Sequence, residues 1–257
     1  MTTARPATVY LVGAGPGDPE LLTIKAARLL STADVVLHDD LVPGAVLIHA
    51  ERALVINVGK RCGKKSISQQ QIDTMLVDYA RCGLSVVRLK CGDPLVFGRA
   101  AEELAALRAA GIACEVVPGI TAAFAAAAAL QRPLTDRRSA SSISFSSGHH
   151  APGSPHQPAS LAEATRVIYM PGRNLAPLAA QLRAEGLPPT LPCVVVSRAA
   201  QPDQQIQQTT LAELDRLTPG PAPAILLAGE ALREAEPEAI AAIADRSLTE
   251  DPRPLKL

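Results

Sequence analysis

Twice in this chain an apolar run of strand length stops at a turn that ends in Gly-Asp-Pro. The first is Val9-Tyr10-Leu11-Val12, followed by Gly13-Ala14-Gly15-Pro16-Gly17-Asp18-Pro19. The second is Val86-Val87-Arg88-Leu89, followed by Lys90-Cys91-Gly92-Asp93-Pro94. Each turn leads into a helical pattern. A buried strand that feeds a helix through a short glycine turn is half of a βαβ unit, and chains of this kind place ligands outside the carboxyl ends of the strands. The expected fold class is therefore α/β.

The rest of the amino-terminal half repeats the alternation. Strand signals fall at residues 35–37, 54–58 and 113–117. Asp18 reads as an N-cap with Pro19 at the first helical position, ahead of Leu22, Ala26, Leu29 and Leu30 at helical spacing. Ser68-x-x-Gln71 is a capping box, Ile72, Leu76 and Tyr79 share one face, and Gly83 is the stop. A third helix is expected over 99–110, ended by Gly111, and a buried alanine-rich one over 122–129. After Leu130 the character changes. Residues 132–138 are polar and basic, and 142–147 is β-rich. A proline, glycine and histidine loop covers 148–158. Strands follow at 166–170, 194–197 and 224–227, and helices at 175–185 and 231–244. This places a boundary near 132–140, with one α/β domain over 1–135, a second over 136–250 and a loose tail over 251–257.

Composition narrows the function. Of 257 residues 47% are hydrophobic and only 2% aromatic, so the core must be built from Ala, Leu, Val and Ile. The 25 basic and 25 acidic residues cancel, which argues against a nucleic-acid binder. The five cysteines (Cys62, Cys82, Cys91, Cys114, Cys193) have no C-x-x-C spacing, so neither a disulfide framework nor a zinc site is signalled. Met1 to Pro6 lacks the basic and apolar regions of a secretion signal, and the longest apolar run, 120–130, is too short for a bilayer. A cytoplasmic enzyme away from membranes, holding no metal, is expected.

Single motifs are ambiguous. The loop from Gly13 misses the dinucleotide fingerprint because its third glycine position is Asp18, which would repel a pyrophosphate. Taken alone it fits a tight structural turn as well as a ligand loop. Gly59-Lys60 and Gly63-Lys64-Lys65-Ser66 miss the phosphate-loop pattern, since the leading glycine position is Val58. His149, His150 and His156 lie in a loop without acidic or cysteine partners, which fits solvent exposure better than a metal site. Arg99 and Glu102 sit at i, i+3, the spacing of an ordinary helix ion pair. Asp39 and Asp40 end a strand, and Lys60 lies just past another.

Together the motifs are specific. Val12 to Asp18, Val35 to Val42, Val58 to Arg61, Arg88 to Pro94, Phe97 to Arg99, Val117 to Ala123, Pro133 to Arg137 and Tyr169-Met170 match in order and spacing. On these segments the sequence resembles the tetrapyrrole methylase family, the class III methyltransferases. The resemblance implies two α/β domains with the active site in the cleft between them, and a homodimer. It implies methyl transfer from S-adenosylmethionine to two ring carbons of uroporphyrinogen III, giving precorrin-2, with S-adenosylhomocysteine as the other product. Residue by residue it implies a cofactor site of Pro16, Cys91, Gly92, Asp93, Val96, Thr121, Ala122, Met170, Ala199 and Ala224. Asp39 matches the proton acceptor and Lys60 the proton donor, and Arg99, Glu102 and Arg137 face the tetrapyrrole. Two further readings stay open: a sister methylase acting on a later precorrin, and a non-catalytic relative that keeps the cofactor fold. Four residues depart from the family pattern. Cys91 replaces the first glycine of a Gly-Gly-Asp turn, His38 and Asp40 replace Tyr and Arg, and Asp136 replaces His.

Overall fold

The computed structural model describes residues 8–59, 67–148 and 163–233. Within them the chain builds two five-stranded sheets. The first comprises β1 (Val9–Gly13), β2 (Val35–His38), β3 (Leu54–Asn57), β4 (Val86–Lys90) and β5 (Cys114–Val117). Its order is β3-β2-β4-β1-β5, with every pair parallel. Between these strands run α1 (Ile24–Thr32), the short α2 (Gly44–Leu47), α3 (Gln69–Arg81) and α4 (Ala100–Ala109).

Side-chain alternation sorts the strands onto two cores. Val12, Val36, Val87 and Leu89 face Ala26, Leu29 and Leu30 of α1. Val9, Leu11, Val35, Leu37 and Val86 face Ile72, Leu76 and Ala80 of α3 and Leu107 of α4. Strand β1 thus hands the chain to a helix on one face, whereas β4, its neighbour, hands it to a helix on the other. The carboxyl ends of β1 and β4 flank a topological switch point, where connections diverge and leave a crevice. Their two turns meet there through the isolated bridge between Gly15 and Gly92.

The expected start of α1 shifts. Asp18 accepts from Glu20 N and caps only a 3-10 turn over Pro19–Leu21. Leu22 is extended, and the α-helix begins at Ile24 behind a second cap, Thr23, whose hydroxyl accepts from Ala26 N at 3.1 Å. The capping box at Ser68 and Gln71 forms as expected.

The second sheet consists of β6 (Ser142–Ser147), β7 (Ala164–Tyr169), β8 (Pro192–Ser197), β9 (Gln205–Thr210) and β10 (Ala224–Ala228), in the order β6-β7-β10-β8-β9. Only β6 and β7 are parallel; the other pairs are antiparallel, and β9 has no counterpart among the expected strands. One face packs on α6 (Ala176–Ala184) through Leu175, Ala179, Leu182, Val195 and Leu226. The other packs on α5 (Ala122–Leu130): Ala123, Ala125 and Ala126 meet Val167, Val196, Ile225 and Leu227. Helix α5 follows β5 of the first sheet yet buries its alanines against the second. The absence of larger side chains lets helix and sheet approach closely. No helix among the described residues is long and apolar enough to cross a membrane.

Candidate active site

The carboxyl ends of β1, β4 and β5 converge so tightly that side chains are excluded. A Cβ placed on Gly119 would sit 2.3 Å from the Gly92 carbonyl oxygen and 2.8 Å from Gly13 Cα. Gly92 itself has φ +69°, the left-handed region that glycine enters without cost. Cys91, the departure from the family pattern, is not among the left-handed residues, so its Cβ is tolerated. Asp93 locks the assembly. One carboxylate oxygen accepts from Leu95 N at 2.8 Å and the other from Gly119 N at 3.0 Å, tying the β4 turn to the turn before α5.

Between this glycine edge and the second sheet lies a cleft enclosing about 740 Å³, part of it continuous with bulk solvent. All ten residues that the family resemblance implies for the cofactor line the cleft: Pro16, Cys91, Gly92, Asp93, Val96, Thr121, Ala122, Met170, Ala199 and Ala224. The second sheet contributes through the ends of β7 and β8 and the start of β10, because Tyr169 pairs with Ile225 and Ser197 with Ala224.

Several lining residues carried no role in the sequence reading, among them Leu41, Phe97, Tyr169 and Pro223. The Tyr169 hydroxyl lies 2.5 Å from the Thr121 hydroxyl, joining β7 to the first residue before α5. Burial pushes the Tyr169 pKa up, against the Thr121 bond that lowers it. The rings of Phe97 and Tyr169 stand 5.0 Å apart, and Phe145 and Phe124 continue the series at 5.8 and 6.4 Å. All three phenylalanines of the chain are in this row, and each is partly exposed. A rare residue type gathered in one row running from the cleft-lining Phe97 and Tyr169 was the signal available in the sequence, but its members are far apart along the chain.

Backbone strain gathers at the same place. Phe97 and Met170 line the cleft with φ 52° and 51°, and Arg198 and Ala200 bracket Ala199 with φ 52° and 57°. Left-handed residues other than glycine cost of order 1 kcal/mol each, and they cluster where a backbone position matters to function. Burial, aided by the nearby Asp39 carboxylate, pushes the Cys91 thiol up to about 11. It is therefore a neutral thiol in the cleft wall near pH 7.

The residues assigned to substrate and proton transfer lie apart from this lining. Asp39 follows β2, its amide donating to Leu89 O at 3.2 Å and its carboxylate paired with Arg88. Arg99 sits at the N-cap of α4 with φ 56° and grips Glu102 with two bonds, Nε to Oε1 at 2.8 Å and Nη2 to Oε2 at 2.7 Å. Both side chains are about half exposed, so the pair is easily opened by a competing carboxylate. Arg137 is exposed in the turn from Asp136 to Ala140, where Asp136 pairs with Arg138. Lys60, and the histidines of the 148–158 loop from His149 onward, lie outside the described residues.

A parallel sheet with a glycine-walled crevice at its switch point, facing a mixed sheet that closes the crevice, defines a two-sheet α/β enzyme class. The family model of the tetrapyrrole (corrin/porphyrin) methylases matches residues 8–215, and the chain belongs to that family. It is 44% identical over 239 residues to the uroporphyrinogen-III C-methyltransferase of Paracoccus denitrificans, covering 89% of this chain and 82% of that one. It is 46% identical over 229 residues to the siroheme synthase of a Psychrobacter strain, covering 86% of this chain but 47% of that protein. The chain thus spans about half the length of the siroheme synthases it matches. Among solved structures it resembles the uroporphyrin-III C-methyltransferase of Thermus thermophilus complexed with S-adenosylhomocysteine. There the TM-score is 0.77 with 40% identity, over 88% of this chain and 99% of that one.

Proposed function

We propose that this chain is a uroporphyrinogen-III C-methyltransferase, moving methyl groups from S-adenosylmethionine to two ring carbons of uroporphyrinogen III to give precorrin-2. One observation carries the reading: the ten residues that the resemblance assigns to the cofactor, scattered from Pro16 to Ala224, line a single cleft.

The cleft wall fits such a nucleoside. Its lining is largely apolar, and short residues at Gly92, Thr121, Ala122, Ala199 and Ala224 leave backbone groups accessible. When bound, the sulfonium supplies a methyl group already activated for transfer. The protein's part is then mostly alignment, which is worth several powers of ten in rate. Asp93 keeps the two glycine turns in register, and Phe97 and Tyr169 wall the mouth against which the macrocycle would lie. Arg99 and Arg137 provide fork-shaped donors for the substrate's many carboxylates. Asp39, with Arg88 at its back, accepts the proton that the macrocycle loses, and Lys60 keeps its implied role as donor. A homodimer, a cytoplasmic location and the division of the chain at residues 135 and 136 belong to the same proposal.

The test is anaerobic turnover with S-adenosylmethionine and uroporphyrinogen III, read by mass spectrometry. Two methyl groups added per macrocycle is the expected result. Tight S-adenosylhomocysteine binding without turnover favours the non-catalytic relative. Turnover of an already methylated precorrin alone favours the sister enzyme.

A further inference from the structure

Beneath the cleft, on the face of the first sheet covered by α3 and α4, an otherwise apolar core holds three charged side chains. Arg88 and Lys90 project from β4 to the same face, and Glu103 projects down from α4. Their side chains are 2%, 3% and 0% exposed. Arg88 Nε donates to Glu103 Oε1 at 2.9 Å, and Lys90 Nζ donates to both Glu103 oxygens at 2.9 and 3.0 Å. Arg88 Nη1 donates to the carbonyls of Leu37 and Leu89 at 3.3 and 3.2 Å, and Nη2 donates to Asp39. Two cations and two carboxylates balance, and every nitrogen of the Arg88 fork has an acceptor.

Such a cluster is poorly explained by stability. Desolvation of buried ions costs as much as their attraction returns, and apolar replacements of similar volume are often neutral or better. What the cluster does have is an outlet. The Asp39 carboxylate is about one-third exposed and stands at the sheet edge beside the cleft. At the other end, Lys90 Cε would be 3.2 Å from a Cβ on Gly98, so the ammonium stem supports the turn that carries Phe97 and Arg99. Glu103 directly follows Glu102, the partner of Arg99. One buried assembly therefore fixes both rims of the substrate side, the β2 end and the first turn of α4.

We propose that Arg88, braced by Glu103 and Lys90, is a positioning residue for the methyl-transfer reaction: it acts through Asp39, holding that carboxylate at one place on the cleft rim. This rests on the assignment of Asp39 in the proposed function. Arg88→Lys keeps a charge but loses the planar fork that spans Glu103, two carbonyls and Asp39 at once.

The test is a double-mutant cycle of Arg88→Lys with Asp39→Asn, read as kcat and KM for uroporphyrinogen III and as the affinity for S-adenosylhomocysteine. Arg88→Lys should lower kcat about 100-fold, the scale of a small misplacement. The S-adenosylhomocysteine affinity should stay within about threefold, since the cofactor wall does not include Arg88. On the Asp39→Asn background the same change should cost less than about threefold more. Additive losses, or a kcat for Arg88→Lys near wild type, overturn the proposal. If Arg88→Lys does not fold, the paired variant Lys90→Met/Glu103→Gln removes the brace without changing net charge. The cycle is then run with it, and a smaller, equally non-additive kcat loss is expected, with additivity again overturning the proposal. Wild-type protein that does not turn over uroporphyrinogen III defeats the proposed function instead. Wild-type turnover with unaffected Arg88 variants defeats only the positioning role.

Discussion

The two sheets reach one cleft by different geometry. In the first, all strands run the same way, so every turn after a strand arrives at the same edge, and three of them supply glycine-lined backbone. In the second, β10 runs against β7 and β8, so the cleft edge collects two strand ends and one strand start, Met170, Ala199 and Ala224. The first sheet's contribution is close-packed backbone tied together by the Asp93 carboxylate. The second sheet's is a surface of small and apolar side chains. The three glycine turns at the cleft edge of the parallel sheet should therefore be unforgiving of added atoms, and the small cleft-lining side chains of the antiparallel sheet more tolerant of exchange.

The largest expected effect tests that contrast directly. Gly119→Ala drives a methyl group into the Gly92 carbonyl and Gly13, backbone that cannot rotate away. It should cost about 3 kcal/mol of folding stability, or a melting midpoint roughly 10 °C lower for a chain of this size. Gly186, in the second half, has φ +83° but open space around its Cβ position. Gly186→Ala should cost only about 1 kcal/mol. Equal shifts in calorimetric melting would mean that the cleft-edge turn is no more crowded than an open helix end.

Next comes Asp93→Ala. The carboxylate holds two amides from two different turns, and losing charge-assisted bonds of this kind costs of order 2 kcal/mol. S-adenosylhomocysteine affinity should fall about 30-fold in titration calorimetry. Met170→Leu on the opposite wall, a near-isosteric change, should stay within about threefold. A reversal of that order would make the second sheet the principal grip.

How far this was legible in the sequence follows from the same asymmetry. Parallel strands buried on both faces read as continuous apolar runs, so β1, β2 and β4 stood out; the edge strands β3 and β5 were marked too, although their side chains are mostly exposed or half-buried. Strand β9, Gln205–Thr210, is a polar, largely solvent-facing edge with no apolar run to mark it, and it escaped. The antiparallel pairing of β7, β10 and β8 also escaped, because no tight hairpin joins them. At α1 two caps in tandem competed, and Thr23 rather than Asp18 starts the helix. In the site, Ala122, Ala199 and Ala224 carry no chemical signal, and only the order of segments shared with a family placed them. Arg88 and Lys90 did carry one. Two cations at i, i+2 inside a buried strand require carboxylates from the covering helix, and Glu103 was there to be found.

Arg99→Ala separates substrate side from cofactor side. Arg99 is on the first-sheet rim but not in the cofactor wall, and its guanidinium pairs with a half-exposed partner, Glu102. The KM for uroporphyrinogen III should rise about 10-fold, one charged bidentate contact. S-adenosylhomocysteine affinity should not move. A larger loss in cofactor affinity than in KM would place Arg99 on the wrong side of the comparison.

The smallest expected effect probes the seam between the halves. The Gln201 side chain, in the turn after β8, donates to Pro16 O at 3.3 Å across the cleft. Gly17 makes this possible, since a Cβ there would stand 2.5 Å from Gln201 Cγ. The bond joins the parallel sheet's first glycine turn to the antiparallel sheet's strained turn, where Arg198 and Ala200 are left-handed. A neutral hydrogen bond of this length contributes about 1 kcal/mol, so Gln201→Ala should release S-adenosylhomocysteine about fivefold faster in stopped flow. Melting should fall by no more than about 2–4 °C, because neither sheet's core is touched. Gln201→Glu should be worse than alanine, since a carboxylate would face the Pro16 carbonyl without a proton to give. If both variants release the nucleoside at the wild-type rate, the two halves close on the cleft independently, and the seam is held by α5 and the Thr121–Tyr169 contact instead.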